Sequence, residues 1–257
     1  MYKRQVLALN EKLVQFDGTK PFVEIKVGPD KFERRDISVG ISDGIKIEVK
    51  DGVDAIINLG AGLDARPYRL NLPENLEWIE VDHPNIIAHK NETLKLERPK
   101  CKLTRIQLDL ADRQKRKTFF DSAVPHAEKV LILTEGVIVY LSPEQVAEIS
   151  NDLSAQPRFK YWVAEYLHPR VYRHLKNPAH AKKMKNAPFK FFPDDWFGYF
   201  KNLGWIEKET RCSGEIATEF KRKQPMPIWA ALLMAILPKK TKEKSFRVAG
   251  YVIFKRG

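Results

Sequence analysis

Cysteine, long apolar runs and acidic residues in one late segment are what this 257-residue chain has least of. Its two cysteines, Cys101 and Cys212, lie far apart and fit no metal-ligand spacing. A disulfide scaffold or a metal centre is therefore not expected, and a reducing, cytoplasmic setting is. The longest uninterrupted apolar run, Ile228 to Leu237, is ten residues, against the ~20 that a membrane-spanning helix needs. The opening residues MYKRQVLALNEK hold only four consecutive apolar residues, where the core of a signal peptide has roughly 7–15, so export is not expected. No internal repeat or low-complexity tract is present. A chain of this length buries roughly 70–75% of its unfolded surface around one core without staples.

Charge of one sign is in excess: 45 Lys and Arg stand against 33 Asp and Glu, a formal net charge of +12. The excess is uneven. Residues 54–167 hold 15 basic and 17 acidic residues, whereas residues 168–192 hold seven basic and none acidic. The basic surplus therefore belongs to the last third, and whatever it attracts is separable from what the middle binds.

The middle alternates short apolar runs with helical patterns, the signature of a parallel sheet flanked by helices. Strands are predicted at 54–59, 76–81, 103–108, 129–134 and 161–167, with 205–210 and 246–254 completing the sheet. The clearest helix follows Ser142, where Pro143 takes the first position, Gln145 closes a capping box and Val146, Ile149 and Leu153 share a face. A second is expected from Asp194 to Leu203, stopped by Gly204. Residues 1–53 read as a cap on the sheet, and 168–192 as a loop or lid with short helices.

Chemistry gathers at the strand ends. LGAGLDARPYR follows the first core strand directly, and Gly60 and Gly62 let its backbone approach a ligand without a clashing Cβ, ahead of a helix start whose N–H groups attract negative charge. An ordinary strand-to-helix turn would look the same. The second strand ends in IEVDHP, placing Asp82 twenty residues after Gly62, where a carboxylate can accept two ribose hydroxyls; Glu80, on the same face, is the fallback. Asp109 follows the third strand and Glu135 the fourth. Ligands of open parallel sheets bind outside the carboxyl ends of the strands, so these groups describe a nucleoside pocket. Gly60, Gly62 and Ala65 also satisfy a loose dinucleotide fingerprint, which keeps an NAD(P)-dependent oxidoreductase as the alternative. Asp64 would repel a pyrophosphate there, and the acids suit a cationic ligand such as S-adenosylmethionine.

Taken together, LGAGLDARPYRL, IEVDHP, QLDLAD and TEGVIVYLSPEQV resemble the leucine carboxyl methyltransferase and tetracenomycin-type O-methyltransferase family, whose pattern runs through LGAGLDTR, EVDxP and EGVxxYL. The resemblance covers residues 54–150 well and barely touches 1–53 and 168–192. It implies that Gly60 and Gly62 border S-adenosyl-L-methionine, that Asp82 holds its ribose, that Asp109 with Leu110 contacts the adenine and that Glu135 faces the methionine amino group. The family's N-terminal arginine, which grips the methionine carboxylate, has counterparts in Arg34 and Arg35, of which Arg35 is taken. Ala65 stands where the family has threonine. The expected fold is α/β: a Rossmann-like doubly wound sheet, mostly parallel with an antiparallel C-terminal strand. It forms one domain made of an N-terminal cap (1–53), a cofactor-binding core (54–167), a basic lid (168–192) and C-terminal strands with an apolar helix (193–257).

Methyl transfer from a sulfonium needs alignment and exclusion of water more than a nucleophilic triad, and only a hydroxyl acceptor benefits from a base. His168 and Tyr140 are the candidates, Tyr140 in a positioning or packing role. The expected reaction is O-methylation of a carboxyl or hydroxyl group on a small molecule. For the basic lid, electrostatic focusing of an anionic acceptor and a merely solvated surface stand level. Nucleic acid, suggested by the aromatics Tyr172, Phe189, Phe191 and Phe192, is the least favoured partner, and a non-catalytic nucleoside-binding module is a further alternative. The apolar helix 228–237 reads as a substrate wall first and as a peripheral membrane contact second.

Overall fold

The computed structural model describes residues 23–28, 31–35, 45, 48–178, 188–215 and 247–257. Five strands of the central sheet run parallel: β3 (Ala55–Leu59), β4 (Glu77–Asp82), β5 (Lys102–Gln107), β6 (Val130–Thr134) and β7 (Phe159–Leu167). Strands β8 (Trp205–Cys212) and β9 (Ala249–Arg256) complete it in the order β5-β4-β3-β6-β7-β9-β8, with β9 antiparallel to both its neighbours. This is the mostly parallel, doubly wound sheet expected. Ahead of it, β1 (Val23–Gly28) and β2 (Lys31–Arg35) form an antiparallel hairpin that the mixed signals of residues 1–53 did not reveal.

All five residues of β3 and of β6 are buried, because helices cover both faces of the sheet. On one face Ile57, Ile132, Trp162 and Phe254 pack against α3 (Arg113–Ser122), α4 (Pro143–Ser154) and α6 (Trp196–Asn202) through Phe120, Val146, Ile149, Leu153, Trp196 and Phe200. Ile56, Leu131, Leu133, Val163 and Ile253 point the other way, into a second cluster with Ile45, Leu70, Leu76 and Trp78. The helices start where their caps dictate. Ser142 Oγ accepts the Gln145 N–H and Gln145 Oε1 accepts the Ser142 N–H, and Asp195 Oδ1 accepts the Gly198 N–H at 2.9 Å.

The two short elements that bear on the site are α1 (Arg66–Arg69), after the glycine turn, and α2 (Pro84–Thr93), which leaves β4 at His83. A 3-10 turn at Ile138–Tyr140 follows β6, and another at Pro169–Val171 leads into α5 (Tyr172–Leu175). Among the described residues no helix is long and apolar enough to cross a membrane, and no group of acidic, histidine or cysteine side chains could hold a metal ion. Both cysteines are free and buried. The apolar run 228–237 and lid residues 179–187 lie outside the described residues.

Candidate functional site

Four parallel strands, β3, β4, β5 and β6, end at one cleft of about 220 Å³, with Gly60 and Asp82 at one side, Asp109 and Leu110 along the next and Val137 and Tyr140 opposite. Its volume is below the roughly 300–1,000 Å³ of sites that take a whole drug-sized ligand. It suits the nucleoside end of a larger one.

Gly60 is required by geometry. Its φ of +69° lies in the left-handed region, and a Cβ there would meet Val137 Cγ2 at 2.5 Å. The Gly60 and Ala61 N–H groups both donate to the Val81 carbonyl, at 2.8 and 3.1 Å, so the turn folds back over β4. Gly60→Ala is expected to cost about 1–3 kcal/mol for the backbone conformation and a further ~1–3 kcal/mol for displacing Val137. Thermal unfolding measures the total; Gly60→Ala/Val137→Ala should recover only the second part, and full recovery would show that the backbone is unstrained.

Asp82 ties that turn to the next strand. Its Oδ2 accepts the Gly62 N–H and its Oδ1 the His83 N–H, each at 2.7 Å. A carboxylate has about four acceptor positions, so each oxygen keeps capacity for a hydroxyl from the cleft. Glu80, the fallback, is corrected by the structure: it is fully buried against Lys90 Nζ at 2.8 Å and Arg105 Nε at 2.9 Å, outside the cleft. Burial pushes its carboxyl above the ordinary range despite those cations, and burial likewise lowers the Lys90 ammonium.

The Asp109–Leu110 loop is held from behind. The buried Arg116 donates to the Leu110 carbonyl at 2.6 Å and pairs with Asp152 of α4 at 2.7 Å. Asp109 Oδ1 accepts the Ala111 N–H at 3.0 Å, while its side chain stays more than half exposed toward the cleft mouth.

Glu135 does not line the cleft itself. It sits one residue before Gly136 and pairs with Arg66 Nη2 at 3.0 Å. Arg66, 1% exposed, also forks onto Asp64, with Nη2 at 2.5 Å and Nε at 2.7 Å from Oδ2, and Asn58 Nδ2 donates to the same oxygen at 2.8 Å. The Asp64 charge is therefore matched inside the protein, its Oδ1 accepting the Arg66 N–H at 2.9 Å where α1 begins, which weakens the repulsion that its position in the sequence suggested. Burial alone would raise the Asp64 carboxyl, but Arg66 outweighs burial and holds it below its ordinary value. Glu135 ends above its own, burial prevailing over Arg66.

Sequence reasoning missed Arg66 and Glu165. Glu165, the one acid within the apolar run of β7, accepts the Val137 and Val139 N–H groups with Oε1 at 3.0 and 3.2 Å. Burial, opposed by those bonds, pushes its carboxyl up to about 7. Of the proposed bases, Tyr140 lies on the cleft wall edge-to-face with Phe189 at 5.2 Å, and burial, then Glu165, raises its hydroxyl. His168 is outside the cleft and caps the second 3-10 turn, its Nδ1 accepting the Arg170 N–H at 3.0 Å. Arg35 ends β2 opposite Val23, and its side chain lies outside the described residues. Two of the aromatics of residues 168–192, Tyr172 and Phe191, are buried at 6% and 2% exposure, which removes them as stacking surfaces for a single strand.

Residues 38–154 match the family model described as leucine carboxyl methyltransferase. A protein of Parafrankia sp. named as an S-adenosyl-L-methionine-dependent methyltransferase is 30% identical over 202 residues, covering 72% of this chain and 62% of its own length. A Mycolicibacterium smegmatis protein of the same designation is 27% identical over 190 residues, covering 68% of this chain and 61% of its own. The chain thus spans about three fifths of the length of these relatives. The matched core takes in β3 to β6, the cleft and α4, and leaves β7 to β9 outside it. Solved structures share the fold at low identity. A bacterial CtHen1-C methyltransferase domain has a TM-score of 0.52 at 15% identity, covering 85% of this chain and 97% of that one. A DUF574 family protein from Streptomyces avermitilis has 0.54 at 12%, covering 84% and 81%.

Proposed function

We propose that this chain is an S-adenosyl-L-methionine-dependent methyltransferase that transfers the methyl group to an oxygen, carboxyl or hydroxyl, of a small molecule. The observation that carries the reading is the Asp82 carboxylate, tied to the Gly62 N–H at 2.7 Å and set beside a turn whose left-handed Gly60 leaves no Cβ in the way. That pairing fits a ribose against backbone, and the names borne by the Parafrankia and Mycolicibacterium relatives support the donor.

In this reading Asp82 accepts the ribose hydroxyls, Asp109 and Leu110 border the adenine, and Gly60 and Gly62 allow the close approach. Glu135, kept next to Arg66, offers its remaining acceptor capacity to an ammonium group. The donor supplies a methyl group already activated on a sulfonium, so the chain's part is alignment and exclusion of water. Tyr140 and Val137 wall the acceptor side, and residues 188–191 close on them: the Lys190 and Phe191 N–H groups donate to the Val139 carbonyl at 2.8 and 3.3 Å. The basic residues of 168–192 would draw an anionic acceptor toward that wall.

Calorimetry with S-adenosylmethionine and S-adenosylhomocysteine tests the donor. Asp82→Ala removes two charged hydrogen bonds to the ligand and is expected to weaken binding about 100-fold or more, with Asp82→Asn between it and the parent. Tighter binding of a nicotinamide dinucleotide than of either ligand would overturn the proposal. A labelled-methyl screen of acidic and phenolic compounds then reads the acceptor.

A further inference from the structure

Glu165 does something no other side chain of β7 does: it reaches across to the neighbouring strand's exit loop and fixes that loop's backbone. Its Oε1 holds the Val137 and Val139 N–H groups at 3.0 and 3.2 Å. Val137 is the cleft wall whose Cγ2 fills the space above Gly60, and the Val139 carbonyl receives the lid residues Lys190 and Phe191. A single carboxylate oxygen therefore sets the distance between the glycine turn and the wall that the lid closes on. The other oxygen, Oε2, is buried and has no hydrogen-bond partner among the described residues.

The ionisable groups around it come from three elements. Glu135 faces it from the end of β6, Tyr140 from the 3-10 turn, and Tyr251 from β9, where it is the register partner of Glu165. The cation of this region, Arg66, is taken by Asp64 and Glu135. Among the described residues no cation forms an ion pair with Glu165.

We propose that Glu165 is a positioning residue of the donor site: its carboxylate anchors the Val137–Val139 wall, and its anionic form anchors that wall in the arrangement that receives the donor. The inference rests on reading the cleft as an S-adenosylmethionine site. An ionised acceptor makes shorter, stronger hydrogen bonds to N–H groups than a neutral one, and a second negative charge beside Glu135 favours a cationic ligand. Burial raises the carboxyl to about 7, so the anionic form gives way to the neutral one across the physiological range. Donor affinity should therefore rise as pH increases through neutrality.

The experiment compares the parent with Glu165→Gln and Glu165→Ala, measuring S-adenosylhomocysteine affinity by calorimetry between pH 6 and 8.5. Titration of the ligand's own amino group is common to all three and cancels in the ratio. Parent and Glu165→Gln should bind alike at pH 6, and the parent should gain about fivefold over the glutamine variant by pH 8.5, the difference between neutral and charged hydrogen bonds. Glu165→Ala should be weaker than both at every pH, because an amide oxygen can hold the wall and a methyl cannot. A parent-to-glutamine ratio that does not change with pH, or an alanine variant equal to the glutamine one, would overturn the inference. Amide hydrogen exchange at Val137 and Val139 reads the wall with no ligand present. Protection in the parent and glutamine variant but not in alanine supports the anchor even if no adenosyl ligand binds, in which case it is the reading of the cleft that fails; equal exchange in all three overturns the anchor itself.

Discussion

Replacing Arg66 by methionine is expected to cost about 3–5 kcal/mol of folding stability at pH 8, the usual loss when one partner of a buried ionic cluster is removed. Methionine nearly matches the arginine stem in length but leaves Asp64 and Glu135 beside each other without their shared cation. The sign of the pH dependence follows. In the parent, Arg66 holds the Asp64 carboxyl below its ordinary value, so that carboxylate stabilises the fold above its unfolded pKa and the contribution is lost only in strong acid. Without Arg66, burial dominates at both carboxyls and raises them, so the variant gains stability as pH falls and they take up protons. Denaturant unfolding at pH 8 and pH 5 should show the gap between parent and Arg66→Met narrowing in acid. Arg66→Lys should fall between them, because one ammonium cannot serve the three short contacts that the guanidinium fork makes. A gap under about 1 kcal/mol, or one equal at the two pH values, would mean the cluster is solvated and carries little.

The parts of the molecule legible in the sequence are those whose cause is local. Strands β3 and β6 are short apolar runs buried on both faces, and such runs announce a parallel sheet without reference to anything distant. Ser142, Pro143 and Gln145 write the start of α4 in four residues. Acids and glycines immediately after strands are positioned by the sheet alone, which is why Gly60, Asp82, Asp109 and Leu110 could be named together and are found lining one cleft. What could not be read is pairing over distance. Arg66 stands in DARP as one more basic residue, and nothing near it says that its guanidinium turns inward to Glu135, 69 positions on. Glu165 interrupts YWVAEYL with a charge, a local oddity that could have drawn attention to it and did not, and its partners Val137 and Val139 follow from the β6–β7 crossover and not from its neighbours. The hairpin of β1 and β2 was there to be read in part, since Val23, Ile25 and Val27 alternate with Glu24 and Lys26, but β2, with Phe32 as its one apolar residue, lacks that alternation. The basic surplus lies in the last third by count, and two of its aromatic companions, Tyr172 and Phe191, are core groups.

Alternation put Glu80 and Asp82 on one face of β4, and only the partners separate a structural carboxylate from a ligand-facing one. Glu80→Gln should therefore damage the fold and spare the cleft. It strands the Lys90 ammonium, 1% exposed, next to Arg105 with no paired anion, because the next carboxylate that acts on Lys90, Asp64, is already engaged by Arg66. The expected loss is about 3–5 kcal/mol. Glu80→Gln/Lys90→Met removes the stranded charge and should recover most of it, since Arg105 keeps Asn91 at 2.8 Å and the Tyr68 hydroxyl at 2.5 Å. Binding of S-adenosylhomocysteine to the double variant should stay within about twofold of the parent, well under the 1.4 kcal/mol that a tenfold change represents, in contrast to Asp82→Ala. If instead the double variant folds well and loses the ligand, Glu80 reaches the cleft through Asp64 and Arg66. The two ionic clusters behind the glycine turn would then be one network, with the Lys90 to Asp64 interaction as its link.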